Sequence, residues 1–491
     1  MRGFLPRNFR QSPRPRARGW GTFGRRVAFL GFLLVAFGAL ATAAAPEPFR
    51  IDVVESGSGW PVPMVELRTP HQERWYSDNG GIVAFDDPDL MGHEVWLEVT
   101  GHGYEVPRDG FGNRGVRIRP VPGGRHRIEL RRAQVARRLG RLTGSGLFAE
   151  TRKLGMKAPA TEGSVLGCDS VQVALHRGRL HWFWGDTTLA RYPLGIFDGT
   201  GATSGVPCVP RLEPPVIPQL TWWKDDAGMP KAIAPMPGEG PTWITGCVSV
   251  PDASGSPRLV AAYTKIRPPM ESYEWGLCAW DDAAHVFRPL KIVWRKAHAK
   301  DGATAGDLPL TMPEGHAVLW RDGSGRDVLL FGNPFPRLRC PATFEGWSDP
   351  TRWEALKPQE KLVGADGSPV VPHSGSIAWN PWRKRWVTLF MERFGKPSAF
   401  GELWYAEAES PLGPWGTAVK VATHENYTFY NPRLHPESSP PDGPALIFEA
   451  TFTLQFADKP VPVARHDYNQ VLYRLDLDDP RLAPAQGGAG E

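Results

Sequence analysis

No two of the five cysteines, Cys168, Cys208, Cys247, Cys278 and Cys340, stand in a C-x-x-C pair. Neither a zinc knuckle nor a haem attachment is therefore signalled. The chain also lacks a G-x-S-x-G elbow, an H-E-x-x-H pair and a P-loop, which removes the common serine-hydrolase, zincin and nucleotide-phosphate chemistries. Long runs with the 3.6-residue helical period are missing. So is any basic excess once residues 1–26, with eight arginines and no acid, are set aside: the remainder carries 49 Lys and Arg against 52 Asp and Glu. Such a balance gives no reason to expect nucleic acid as a partner. Only "VAFLGFLLVAFGALATAAA" at 27–45 is apolar enough to address a membrane.

That run, following a basic segment and ending in small residues, reads over 1–45 as an export signal, with a retained N-terminal anchor as the alternative. The expected product is exported to the periplasm, the cell surface or the extracellular space. In an oxidising compartment one or two disulfides could form, with at least one thiol left over. Cys168 and Cys247 each follow a glycine in similar strands, which suggests buried small residues rather than chemistry.

What the chain has in quantity is glycine and proline, 54 and 50 of 491 residues, set between short β-rich runs. The pattern predicts an all-β fold, and the length predicts two or more domains. Residues 46–132 read as a small module of strands broken by turns such as Asp78-Asn79-Gly80-Gly81. On "SDNGGIVAF" and "VTGHGYEVP" this module resembles the carboxypeptidase-regulatory or transthyretin-like β-sandwich. Within it "GFGNRG" at 110–115 matches G-x-G-x-x-G, but the sequence that follows is β-like and proline-broken, so dinucleotide binding is not expected. The basic piece "RRAQVARRLGRL" at 131–142 is the clearest helical candidate and is read as part of a connector spanning 133–160. Residues 479–491 are expected to be a disordered tail.

Between 161 and 478 an apolar strand, a turn and a second, very apolar strand recur five times. The pairs are "CDSVQVAL" with "LHWFWGDT", "TGCVSV" with "RLVAAYTK", "EGHAVLW" with "DVLLFGN", "HSGSIAW" with "RWVTLFME", and "YNPRLHP" with "PALIFEAT". The spacing is too uneven for a WD-type array, and it predicts a five-bladed β-propeller with loop insertions. "HDYNQVLYRLDL" at 466–477 reads as the closing strand, with Asp467 and Asn469 holding the ring shut. "CDSVQVALHRGRLHWFWGDT", "PEGHAVLW" and "AEAESPLGPWGTAVKV" together resemble the family-43 type of five-bladed glycoside hydrolases.

In a propeller the start of each first strand lies beside the end of the second, so these positions converge on one rim. They are Asp169 and Asp186; Lys265; Glu314, His316 and Asn333; His373, Glu392 and Arg393; and Asn431, Arg433 and Glu449. Hydrolysis of a glycosidic bond needs one carboxyl to protonate the leaving oxygen and one to activate water. The resemblance implies that Asp169 is the base and Glu314 the acid of an inverting reaction. It also implies a second aspartate from the second repeat. "TWITGCVSV" has none, which leaves Asp186 or Glu392 to take that part. Asp186 could equally cap a turn, Glu314 sit in a loop, and Glu392 and Glu449 pair with Arg393 and Arg433.

Trp222, Trp223 and Trp243 are candidate sugar platforms, with packing as the plainer alternative. Asn333, His373, Glu392, Arg433 and Glu449 are candidate substrate contacts. No cofactor is required. His316 and His373 could hold a channel ion such as calcium through water, although satisfied core histidines are the simpler reading. The expected partner is a carbohydrate, with the protein acting as a monomer. A non-catalytic carbohydrate-binding or envelope scaffold is the rival function.

Overall fold

Runs such as "RLHWFW" and "DVLLFG" combine aromatic and branched side chains that fit a pleated surface, and the chain builds them into strands. The structure is a computed structural model. It describes residues 47–106, 108–161, 164–191, 199–209, 211–296, 311–396, 398–424, 427–457, 461–463 and 465–486. The expected export signal at 1–45 lies outside the described residues. Nearly all the regular structure is β. The α-helices among the described residues are three short pieces, Ala149–Lys153, Phe344–Trp347 and Ala483–Gln486. No helix there is long and apolar enough to cross a membrane.

Two four-stranded sheets come first. In one, Phe49–Glu55 pairs antiparallel with Ile82–Phe85 and parallel with Arg125–Arg132, which also carries Tyr104–Glu105. The other runs in the order Arg74–Tyr76, Glu66–Arg68, Val95–Thr100, Gly115–Ile118. One apolar cluster draws from both, including Ile51, Val53, Leu67, Val83, Leu97 and Ile128. The glycines of "GFGNRG" lead into the strand Gly115–Ile118 and not into a helix, so no helix N-terminus is there to hold a pyrophosphate.

Five four-stranded antiparallel sheets follow. Sheet I is Gln172–His176, Arg179–Trp184, Thr200–Ser204 and Thr221–Trp222. Sheet II is Thr242–Pro251, Pro257–Arg267, Glu271–Asp281 and Val286–Arg295. Sheet III is His316–Arg321, Asp327–Gly332, Pro336–Pro341 and Glu354–Ala355. Sheet IV is Pro372–Asn380, Arg385–Glu392, Glu402–Ala408 and Val419–Thr423. Sheet V takes Thr428–Leu434, Ala445–Thr453 and Asn469–Asp476 from the C-terminal region, and its fourth strand is Arg137–Arg141.

That fourth strand corrects the sequence reading of 131–142 as a helix. Residues with good helical propensity are here overridden by an open sheet edge, because tertiary pairing outweighs propensity. Ala136 donates its N–H to the Val421 carbonyl and Leu142 to that of Gln470, while Val135, Ala136 and Leu139 are buried. The arginines are not a solvated face either. Arg137 pairs with Glu55, and Arg138 is buried with its guanidinium on the carbonyls of Pro63 and His102. The segment therefore joins the first two sheets to sheet V.

The expected tail at 479–491 is also corrected over 479–486. Pro480–Leu482 and Ala483–Gln486 are helical turns, and Leu482 and Ala485 are buried in the cluster that holds Leu475 and Leu477; residues 487–491 lie outside the described residues. All five cysteines are buried free thiols, so the structure contains no disulfide.

Side-chain bonds link the five sheets in a closed circuit. Gln172 accepts from the Cys247 N–H between sheets I and II, and Thr245 accepts from Gly315 N–H between II and III. Asn333 accepts from Gly375 N–H between III and IV, and Ser376 from Leu434 N–H between IV and V. Asn431 donates to Ser170 at 2.5 Å, and Arg433 to the Val173 carbonyl, between V and I. The strand that begins each sheet thus meets its predecessor and its successor.

Candidate functional site

The N-terminal ends of the five leading strands open onto one cavity of about 310 Å³. Sheet I and the turns flanking it supply Asp169, Ser170, Gln172 and Gly185. Sheet II supplies Trp243 and Thr245, and sheet III supplies Gly315, His316 and Asn333. His373 comes from sheet IV, and Tyr430 and Asn431 from sheet V.

Asp169 is its most constrained acid, only 9% exposed. Burial pushes its carboxyl up to about 7, the charge of Asp186 pushes the same way, and hydrogen bonds from the Tyr468 hydroxyl and Ser170 pull against both. Burial disfavours a carboxylate because protein atoms replace the water that would solvate it. Gly185 donates its N–H to the Asp169 carbonyl at 2.8 Å. A Cβ at Gly185 would stand 2.5 Å from Oδ1 of Asp169, so a glycine is needed between the strand and Asp186. Asp186 is itself raised by burial, and its Oδ1 accepts from Nε1 of Trp243 at 2.8 Å.

Glu314 lies beside the cavity rather than in its lining, next to Gly315, with an exposed carboxyl. The protein surface behind that carboxyl raises its pKa and the nearby Arg337 lowers it, with the raising effect the larger. Gly315 has φ of +78°, and a Cβ there would stand 1.9 Å from the Gly332 carbonyl oxygen. The "EGH" order is therefore set by backbone contact. His316 is pushed down to about 3 by burial and by Arg433, and burial and Arg393 lower His373, so both imidazoles are neutral at pH 7. Among the described residues no three His, Cys, Asp or Glu side chains converge as a metal site requires.

Several expected rim groups stand elsewhere. Lys265 is buried, donating to the carbonyls of Met236 and Gly240, and holds the loop before sheet II. Glu449 is fully buried opposite Arg433, two residues further along the fifth leading strand than Asn431; Arg433 is bound to Glu437. Neither lines the cavity, because both lie deeper along their paired strands, past the register shift between Tyr430 and Arg433. Glu392 accepts from Trp404 Nε1 at 2.9 Å and is outside the lining. Trp222 stacks on Trp184 at 4.6 Å, and Trp223 is buried between Phe183 and Trp280. Both belong to the packing of sheet I and are not platforms. Trp243 alone of the three lines the cavity.

The aromatic surface beside the cavity comes instead from residues the sequence did not single out. Tyr430 contacts Phe456, Phe456 contacts Phe400, and Phe400 touches both Phe394 and His373. Phe394 and Phe456 are exposed, and both have left-handed backbones, with φ of +54° and +67°. Ser170, Asn431 and Tyr468 share that conformation. Residues with a Cβ hold such angles at a cost, and those that do cluster at working sites. Tyr468 is the second omission. It sits in the quoted "HDYNQV" segment, but nothing in sequence shows that its hydroxyl reaches Asp169.

No family model matches the chain, and no curated protein matches it. Among solved structures it is similar to an exo-1,5-α-L-arabinanase from a bovine ruminal metagenomic library, at 11% identity over 64% of this chain and 95% of that one, with a TM-score of 0.36. It is also similar to the glycoside hydrolase family 43 YxiA protein of Bacillus licheniformis, at 14% identity over 65% and 73%, TM-score 0.37. A third is the exo-β-1,3-galactanase of Phanerochaete chrysosporium, at 10% identity over 64% and 61%, TM-score 0.37. Likeness at this level does not place the chain in a family, so its chemistry has to be read from the cavity.

Proposed function

We propose that sheets I–V are the blades of a five-bladed β-propeller, that the two preceding sheets form a β-sandwich, and that the cavity is the carbohydrate site of an exported glycoside hydrolase. The observation that carries this reading is the buried carboxyl of Asp169, with Asp186 close enough behind it to act on its charge, in a concave site drawn from all five sheets and flanked by exposed aromatic rings. Paired carboxyls beside apolar faces suit a sugar, whose ring stacks on aromatics while its acetal carbon reacts.

In this reading Asp169 removes a proton from water as the water oxygen attacks the anomeric carbon. The bond from that carbon to the leaving oxygen breaks, and Glu314 gives its proton to the leaving oxygen. Exchange with solvent then returns both carboxyls to their starting states. A base whose pKa lies near 7 suits neutral solution, and the Asp186 charge helps to keep it there. No cofactor takes part, the protein acts as a monomer, and the basic and apolar segment at 1–45 directs export.

One observation favours a second reading, a non-catalytic carbohydrate-binding module. Sheet II contributes Trp243, Ile244 and Thr245 to the lining and no acid, and Glu314 stands outside it. The two readings separate when purified protein is incubated with arabinan, xylan, galactan and arabinogalactan. Hydrolysis expects sugar release that Asp169→Asn abolishes while binding is kept. Binding without release from any of them selects the second reading, and neither binding nor release removes both.

A further inference from the structure

A second concavity, of about 400 Å³, adjoins the first and shares Asn333 with it. It lies between sheets III and IV. Arg337 enters from the third strand of sheet III, Lys361 from the segment before Leu362–Val363, and Arg393 from the turn after Arg385–Glu392. One acid, Glu360, lines it.

The three cationic side chains are exposed, and none makes an ion pair or side-chain hydrogen bond with a described residue. Their neighbours on the same two sheets behave differently. Arg339 pairs with Glu354 at 2.7 Å, Arg385 with Glu409 at 3.0 Å and Lys420 with Glu402 at 2.8 Å. The groove therefore gathers three cations that have no ion pair among the described residues. Their charge reaches the first cavity and the glutamate beside it, since Arg393 acts on His373 in the lining and Arg337 on Glu314. Pro372 lines the groove and His373, the next residue, lines the cavity, so a chain lying across both would pass from one to the other within a single residue of strand. Guanidinium groups recognise carboxylate and sulfate oxygens through paired N–H donors, and a lysine adds a point charge.

We infer that this groove is a subsite for an anionic group, a carboxylate or a sulfate ester, on a polysaccharide whose neighbouring residue occupies the Asp169 cavity. The inference rests on the carbohydrate reading above and narrows it to acidic polymers. The nearby Phe394 ring offers a face to the sugar that carries the charge.

The test measures binding to the full-length Asp169→Asn protein, which leaves the polymer intact. The probes are glucuronoxylan beside its carboxyl-reduced form and a sulfated galactan beside its desulfated form; the pair that shows the difference identifies the anion. The acidic form is expected to bind roughly thirtyfold more tightly than its neutral counterpart, at about threefold per cation. High salt should erase the difference, as should combined Arg337→Gln, Lys361→Gln and Arg393→Gln. Equal binding of acidic and neutral forms overturns the subsite and leaves the carbohydrate reading standing, as does a triple variant that keeps the full preference. Failure of every polymer to bind removes the carbohydrate reading itself. The comparisons of salt and neutralised polymer need no groove variant, so they hold even where the triple variant does not fold.

Discussion

Trp243 donates its indole N–H to Oδ1 of Asp186 at 2.8 Å, joining the first strand of sheet II to the turn that ends the second strand of sheet I. The bond fixes the neighbour whose charge pushes Asp169 upward. Two acids at neighbouring strand ends of sheet I are thus coupled, and one of them is held by a residue from sheet II. Asp186→Asn removes that charge, so the Asp169 titration should move below about 7, read by carbon NMR of the labelled carboxyl. An unmoved titration would show that burial alone sets it.

The same coupling gives a pH profile. If Asp169 is the base it must be ionised to work, so kcat/KM should rise with pH through about 7. In Asp186→Asn the rising limb should lie at lower pH. A limb that falls through the same value would give Asp169 the acid's part instead.

Stability should run the other way. Asp169 titrates near 7 when folded against 3.8 for an ordinary aspartate, so between these values the folded state keeps a proton that the unfolded chain has lost. Stability then falls as pH rises from 3.8 to 7, by at most about 4 kcal/mol at 1.36 kcal/mol per pH unit. Asp169→Asn carries no charge and still accepts from Tyr468, so it should melt above the wild type at pH 8 and level with it at pH 3. A variant that melts lower at pH 8 contradicts the raised pKa.

Much of this arrangement was legible in sequence. The five strand pairs, and the strand ends that bring Asp169, Asn333 and His373 to the cavity, follow from alternation and turn residues, which are local. What escaped depends on contacts across the chain. "RRAQVARRLGRL" reads as a helix because its propensity is local, whereas the sheet edge that captures it lies more than 300 residues away. Trp222 and Trp223 resemble a platform until the outer strand folds them onto Trp184 and Phe183. Phe394 and Phe456 gave no signal, since a left-handed backbone at a phenylalanine has no sequence mark.

Those two phenylalanines yield a paired expectation. Phe394→Ala and Phe456→Ala should each weaken polysaccharide binding about threefold to tenfold, the worth of one aromatic face. Phe394→Gly should weaken binding equally while relieving the +54° backbone. Its unfolding free energy should then hold or rise by up to about 1 kcal/mol. A clear loss of stability would make Phe394 a packing residue and remove it from the platform.

Asn79 offers a sharp test of how the outer edge of sheet V is sealed. Its side-chain amide donates to the Arg141 carbonyl and accepts from the Arg141 N–H, both at 2.9 Å, copying a strand's pair of bonds on the free side of Arg137–Arg141. Both residues are buried, so water cannot replace the amide. Asn79→Ala strands a backbone donor and acceptor at about 1–3 kcal/mol each, and should cost about 3 kcal/mol in urea unfolding at unchanged m-value. Asn79→Asp should lose at least as much, because it keeps the acceptor but turns an oxygen toward the Arg141 carbonyl. If either variant costs less than about 0.5 kcal/mol, the size of an ordinary surface change, the amide is not what seals the edge of sheet V.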